Sequence, residues 1–178
     1  IQKTALDGFI DKHFVPNVQA KQTELAAFLG TYTLGTLQYY RTKYLLAKLT
    51  QFVELSFTGI NDKRTLRDYS GHEIEHILPD NPENELRADF LLKNPGKDYD
   101  QYKIKLGNLT LLEKTANIVA SNDKYENKCA QYRASGLYFT RSLVEMPTIG
   151  TQSSVNRINQ FLKVFPDWNA ATIDERQQ

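Results

Sequence analysis

Apolar positions along this chain fall into two kinds of spacing, and the switch between them marks the stretch that carries chemistry. Over residues 1–57 the spacing is helical. Leu6, Phe9, Ile10 and Phe14 share one face ahead of Pro16, and Leu25, Phe28 and Leu29 repeat the pattern ahead of Gly30. A longer helix is predicted over residues 35–55, with Leu37, Tyr40, Tyr44, Leu45, Phe52 and Leu55 inward and Arg41, Lys43 and Lys48 on the other face. A connector follows over residues 57–70, with Gly59, Asn61 and Asp62 among Lys63, Arg64 and Arg67.

From Gly71 the pattern shortens. Residue types alternate from His72 to Ile77 over too few positions for a helix, and Pro79 would stop one, so this stretch is predicted to be a strand. Asp80-Asn81-Pro82-Glu83 reads as a helix start, Leu86, Phe90 and Leu91 as the apolar face of that helix, and Asn94-Pro95-Gly96 as its end. A second strand is predicted over residues 106–112, with Gly107-Asn108 at its entrance. Thr115 can cap a short helix and Ser121 a longer one through Tyr132. The tail holds a helix over residues 155–164, a packing cluster of Phe161, Phe165 and Trp168, and a helical end over residues 174–178. The expected fold is α+β and mostly helical, with a helical part over residues 1–70, a core over 71–134 and a second helical part over 135–178.

Composition narrows what such a fold can do. At 178 residues and 40% hydrophobic, the chain can bury the core of one domain. It lacks any run of about 18 apolar residues and a signal-peptide core, so a soluble, intracellular protein is expected. The single cysteine, Cys129, excludes an internal disulfide and a multi-cysteine zinc site, so any metal falls to His, Asp, Glu or Asn. The net charge of +1 carries no global nucleic-acid signal. Locally, however, Lys103, Lys105, Lys114, Lys124, Lys128, Arg133 and Arg141 outnumber Glu113, Asp123 and Glu126, a balance suited to phosphate. The start at Ile1 without Met reads as that of a fragment.

Two chemistries compete for Gly71-His72-Glu73-Ile74-Glu75-His76-Ile77-Leu78-Pro79. The string contains HExxH, which on a helix would place two histidines on one face for zinc and a glutamate as general base. Gly71 and Pro79 leave little room for that helix. The other reading takes Glu75-His76 as the end of a strand. A hard divalent ion is held by few protein oxygens, and Glu75 and Asn117 can supply them, while the adjacent His76 takes a proton from water attacking phosphorus.

On this second reading the chain resembles the HNH, or His-Me finger, nucleases. The likeness lies in Glu75-His76-Ile77-Leu78-Pro79, in Leu106-Gly107-Asn108-Leu109-Thr110-Leu111-Leu112, and in Asn117 with Ser121-Asn122 and Lys128. More narrowly, it is similar to the C-terminal nuclease domain of GmrSD-like type IV restriction enzymes, whose EHIxP and LGNLTLL motifs precede such an Asn-bearing helix. The preceding Tyr39-Tyr40-Arg41-Thr42-Lys43-Tyr44-Leu45-Leu46 is similar as well, so the likeness covers about residues 39–145. The resemblance implies a ββα-metal core within a helical domain, and a DNA endonuclease of bacterial phage defence acting in the cytoplasm. It implies His76 as general base, Glu75 and Asn117 as ligands of Mg²⁺ or Mn²⁺, and Asn108 as the residue that ties the loop and orients the base. The substrate implied is double-stranded DNA, modified phage DNA in particular, sensed by an N-terminal NTPase-like half outside this chain. Double-strand cutting would call for a homo-oligomer, since one such site cuts one strand. Lys114, Lys124, Lys128 and Arg133 are candidate phosphate contacts, and His72 and Asn122 candidate supporting residues. His13 reads as an ordinary helix-surface histidine. A degenerate domain that binds without cutting is the non-enzymatic alternative.

Overall fold

The computed structural model describes residues 7–58, 64–147 and 153–178. Leu6, Gly59, Asn61, Asp62 and Lys63, named above, lie outside the described residues. Two strands form the centre, β1 (His72–His76) and β2 (Leu109–Glu113). They pair antiparallel from His72 opposite Glu113 to His76 opposite Leu109. A two-stranded ribbon is marginal alone and must be covered on both faces. Leu109 and Leu111 point to one face, into a cluster with Tyr32, Leu46, Ala47, Tyr69 and Ile74. Leu112 points to the other, packing with Ile77, Ala120, Tyr125, Tyr132, Leu143 and Phe165.

Helix α1 (Val15–Thr31) continues a π-turn at Ile10–Phe14, so Pro16 does not break the helix as its position suggested. It stands just after the π-turn, as the second residue of α1, and the helix runs through it. Of the apolar faces predicted here, Phe9, Ile10, Phe14, Leu25 and Phe28 are exposed, while Leu29 packs against the cluster that covers β2.

Helix α2 (Tyr39–Thr58) corrects the predicted orientation of the long helix. Its buried stripe is Thr42, Leu46, Ala47, Thr50, Val53 and Glu54, whereas Tyr40, Tyr44, Phe52 and Leu55 are exposed. The inward face carries polar atoms that find partners. Thr42 Oγ1 lies 2.5 Å from Tyr32 OH, and Glu54 accepts the Phe139 N–H at 3.2 Å and pairs with Arg64 at 3.0 Å. The predicted inward face left these residues out, because an apolar pattern sees polarity and not its satisfaction.

Between the strands lie α3 (Asn84–Lys93) and α4 (Tyr99–Lys103). Helix α3 starts after Glu83 rather than at Asp80, and buries Phe90 while Leu91 and Leu92 face out. A 3-10 turn, Leu106–Asn108, precedes β2, which therefore begins three residues later than predicted. Helix α5 (Lys114–Ala120) follows β2 directly, with Thr115 inside its first turn rather than capping it. Ser121 at φ +48° ends α5, and α6 (Tyr125–Ala134) starts after Lys124. The chain closes through α7 (Tyr138–Arg141), α8 (Ser153–Asn159) and α9 (Ala170–Gln177), the last capped by Asn169. Trp168 packs on Tyr125 and Phe165, at ring separations of 5.4 and 5.3 Å, but Phe161 is exposed and leaves the predicted cluster. Among the described residues no helix is long and apolar enough to cross a membrane.

The orientation of α2 is testable by stability. Leu46→Ala should cost about 2–5 kcal/mol in urea denaturation. Phe52→Ala, at a position 64% exposed, should cost under about 1 kcal/mol. The reverse order would restore the face predicted from the pattern.

Candidate active site

The candidate site is built at the C-terminal end of β1. Glu75 opposes Thr110 and is buried beneath α6, where its Oε1 accepts hydrogen bonds from Lys128 Nζ at 2.8 Å and Tyr132 OH at 2.6 Å. Lys128 is 0% exposed, and its Nζ also donates to the His76 carbonyl at 2.6 Å. Burial pushes the Glu75 carboxyl up against the pull of Lys128 and Tyr132, and pushes the Lys128 ammonium down against Glu75. The expectation that Lys128 meets a phosphate is therefore corrected: its ammonium points inward. Tyr125, Lys128 and Tyr132, spaced three and four apart, form the inner stripe of α6.

A cleft of about 170 Å³ opens beside this pair, lined by Ile74, Glu75, His76, Asp80, Asn117, Ser121 and Asn122. Strand β1 supplies Glu75 and His76, α5 supplies Asn117, and the turn after α5 supplies Ser121 and Asn122. His76 Nε2 and Asn117 Oδ1 are both buried without a hydrogen-bond partner. An orphaned imidazole nitrogen and an orphaned amide oxygen in one cleft are costly unless something binds there. Burial lowers the His76 pKa, opposed by Asp80 and reinforced by Lys128 and Lys103. Asp80, read from the sequence only as a helix start, is held by Lys103 at 3.0 Å. Asn122 Oδ1 accepts the Asn81 N–H at 3.3 Å, joining the turn after α5 to the loop after β1.

His72 lies at the other end of β1, outside this cleft, with Nδ1 buried and without a hydrogen-bond partner. The HExxH reading fails on this geometry. In a strand, residues four apart are separated by about 13 Å, too far for both histidines to bind one ion.

Asn108 is buried and does not line the cleft. Its Oδ1 accepts from Leu78 N at 2.6 Å and Trp168 Nε1 at 2.8 Å, and its Nδ2 donates to Leu78 O and Lys103 O, both at 2.8 Å. Its own carbonyl accepts the Ile77 N–H at 3.0 Å. The side chain thereby uses its full donor and acceptor capacity and grips Leu78, while the backbone carbonyl holds Ile77. The tie to the loop is present, and its partner Trp168 was read from the sequence as packing alone.

Comparison with protein-family models matches residues 19–178 to the C-terminal domain of GmrSD restriction endonucleases. The chain belongs to this family. Comparisons with curated proteins and with solved structures give no match. Membership in the GmrSD C-terminal family brings nuclease activity in general, and restriction endonuclease domains generally use divalent metals.

The donor chemistry of this GmrSD-type cleft fits a hard divalent ion, which takes oxygen ligands and retains much of its water. Asn117 offers an unpaired amide oxygen, Asp80 a carboxylate, and Glu75 a carboxylate whose Oε2 lies outside the bonds to Lys128 and Tyr132. Among the described residues no group of three or more His, Cys, Asp or Glu side chains is placed to hold a metal ion. Of the other candidate phosphate contacts, Lys114, Lys124 and Arg133 are exposed. Arg133 pairs with Glu145 at 3.2 Å, and Lys124 lines a separate cleft of about 750 Å³ among Glu83, Glu85, Asp89, Asp123, Glu126 and Asp167.

Burial of the neutral imidazole gives a pH prediction. His76 should titrate below the ordinary histidine value of 6.5, followed by NMR of its ring and assigned with His76→Ala. The unfolded chain takes up this proton first as pH falls, so the contribution to stability is lost from the unfolded value down through the lower folded one. A midpoint at or above the ordinary value contradicts the burial argument.

Proposed function

We propose that this domain is a metal-dependent DNA endonuclease that cuts one strand of double-stranded DNA, serving as the nuclease of a modification-dependent, phage-directed restriction protein. The observation that carries this reading is a pair of orphaned buried atoms, His76 Nε2 and Asn117 Oδ1, on two residues that line one cleft with Glu75 and Asp80. A general base requires an unoccupied lone pair, and burial keeps His76 neutral with that lone pair available. In this reading His76 Nε2 takes the proton of a water as its oxygen attacks phosphorus and the bond to the leaving sugar oxygen breaks. The positive charge left on the imidazole is offset by the nearby Asp80 carboxylate.

Glu75 and Asn117 would hold Mg²⁺ or Mn²⁺, which when bound supplies charge stabilisation at the phosphate and the leaving oxygen. Lys128 and Tyr132 orient Glu75, and Lys128 also fixes the backbone of His76. Lys114, Lys124 and Arg133 supply sequence-independent attraction to the DNA backbone. Sensing of the modification belongs to an NTPase-like half outside this chain, and double-strand cutting to a pair of such domains.

Plasmid nicking with Mg²⁺ or Mn²⁺, and with EDTA as control, tests the base. His76→Ala should lower nicking by about 100-fold or more with the fold intact by circular dichroism. Cleavage persisting within about tenfold of wild type removes His76 from that role.

The amide is tested by calorimetric titration of metal. Asn117→Ala should weaken binding and nicking, with nicking partly restored at higher metal concentration, whereas Asn117→Asp should retain binding through a charged oxygen. Normal metal affinity in Asn117→Ala would place the ligand on another residue.

A further inference from the structure

We propose that Trp168 and Arg176, both far along the chain from the strand-strand-helix core, are positioning residues for His76 and act through Asn108. The effect on rate rests on the nuclease reading above, while the grip itself does not.

His76 ends β1, so its position depends on what holds the next residues, Ile77 and Leu78. Both are held by Asn108, through its carbonyl and its side-chain amide. An asparagine amide can rotate by half a turn at little steric cost, exchanging its oxygen for its nitrogen. Here that rotation would set the amide N–H groups against two donors, Leu78 N and the indole Nε1 of Trp168. The indole thus adds a second donor-donor clash to the wrong orientation and helps to keep Oδ1 on Leu78. Its ring is itself fixed against Tyr125 and Phe165.

Arg176 secures the same residue from the backbone side. Its Nη1 donates to the carbonyls of Gly107 at 2.7 Å and Leu109 at 2.8 Å, the two neighbours of Asn108. Its guanidinium lies over the Phe139 ring, 5.0 Å from the centroid. Helix α9 approaches this turn so closely that a Cβ on Gly107 would stand 2.2 Å from the Ile173 carbonyl oxygen. Gln177 completes the attachment, accepting the Gly107 N–H at 3.2 Å and donating to the Tyr32 carbonyl at 2.9 Å. The segment from Trp168 to Gln177 is therefore a clasp on the turn that orients the loop after His76.

Trp168→Phe keeps an aromatic ring for packing and removes the N–H together with the second ring of the indole. Two measurements test it: nicking kinetics on plasmid, and amide hydrogen exchange at Leu78 and at Leu112, whose N–H lies in the ladder opposite Glu73. The clasp predicts a fall in kcat of about tenfold or more with KM for plasmid nearly unchanged. It also predicts faster exchange at Leu78 with exchange at Leu112 unaltered. In an Asn108→Ala background the same substitution should add no further loss, because the residue through which it acts is gone. A general loss of stability would instead accelerate exchange at Leu112 as well and add to the Asn108→Ala defect, and that result overturns the proposal. So does wild-type kcat together with unchanged protection of Leu78. If Trp168→Phe does not fold, Arg176→Met takes its place, since it keeps an unbranched side chain and removes both hydrogen bonds to the carbonyls; the same criteria then decide. If the wild-type domain does not nick DNA at all, the nuclease reading falls, and the exchange contrast between Leu78 and Leu112 alone decides the clasp.

Discussion

A ribbon of two five-residue strands has too little of its own to hold it together, and the need to cover both its faces shapes the rest of the molecule. On one side α2 brings Leu46 and Ala47 against Leu109 and Leu111. On the other, α5 and α6 close over Leu112 with Ala120, Tyr125 and Tyr132. The same cover that stabilises β2 places Asn117 and the turn at Ser121 beside the end of β1. Packing and site are in this sense one arrangement, since the helices that hide the ribbon also deliver the side chains that line the cleft.

That cover puts a carboxylate out of water, and the structure answers with a buried cation. Glu75 and Lys128 stand or fall together: removal of either leaves a buried, uncompensated charge, at a cost of about 3–5 kcal/mol, and Tyr132 adds a neutral hydrogen bond. Lys128 extends the arrangement to the His76 carbonyl, so one ammonium fixes both the acid and the backbone of its neighbour. Such a network defines geometry more than it adds stability.

The parts of this fold visible in the sequence were those written in local punctuation. Gly71 and Pro79 bracket β1, and the apolar run after Gly107-Asn108 announces β2. Glu75, His76, Asn117 and Asn122, singled out by type and order, do line one cleft. What escaped was whatever depends on a partner distant in the chain. Thr42, Thr50 and Glu54 were absent from the inward face predicted for α2 but are buried. Lys128 looked like a phosphate contact because nothing local reveals that Glu75 waits inside. Asp80 looked like the start of a helix that begins later, and so was missed as a lining residue. Helix α4, five residues long, is too short to show a period at all.

The clasp on Asn108 also has a consequence in time. Trp168 and Arg176 reach back across 60 and 69 residues to contacts at Asn108 and Gly107, and Gln177 across 70. Contacts of such separation form late, because the intervening chain must first be ordered. On a ribosome, where the amino terminus emerges first, both strands and the helix bearing Asn117 are synthesised before the residues that hold the Asn108 amide in place. The nascent chain thus carries every residue of the cleft before it carries the means to fix them, and completion of the site waits on the last turn of α9.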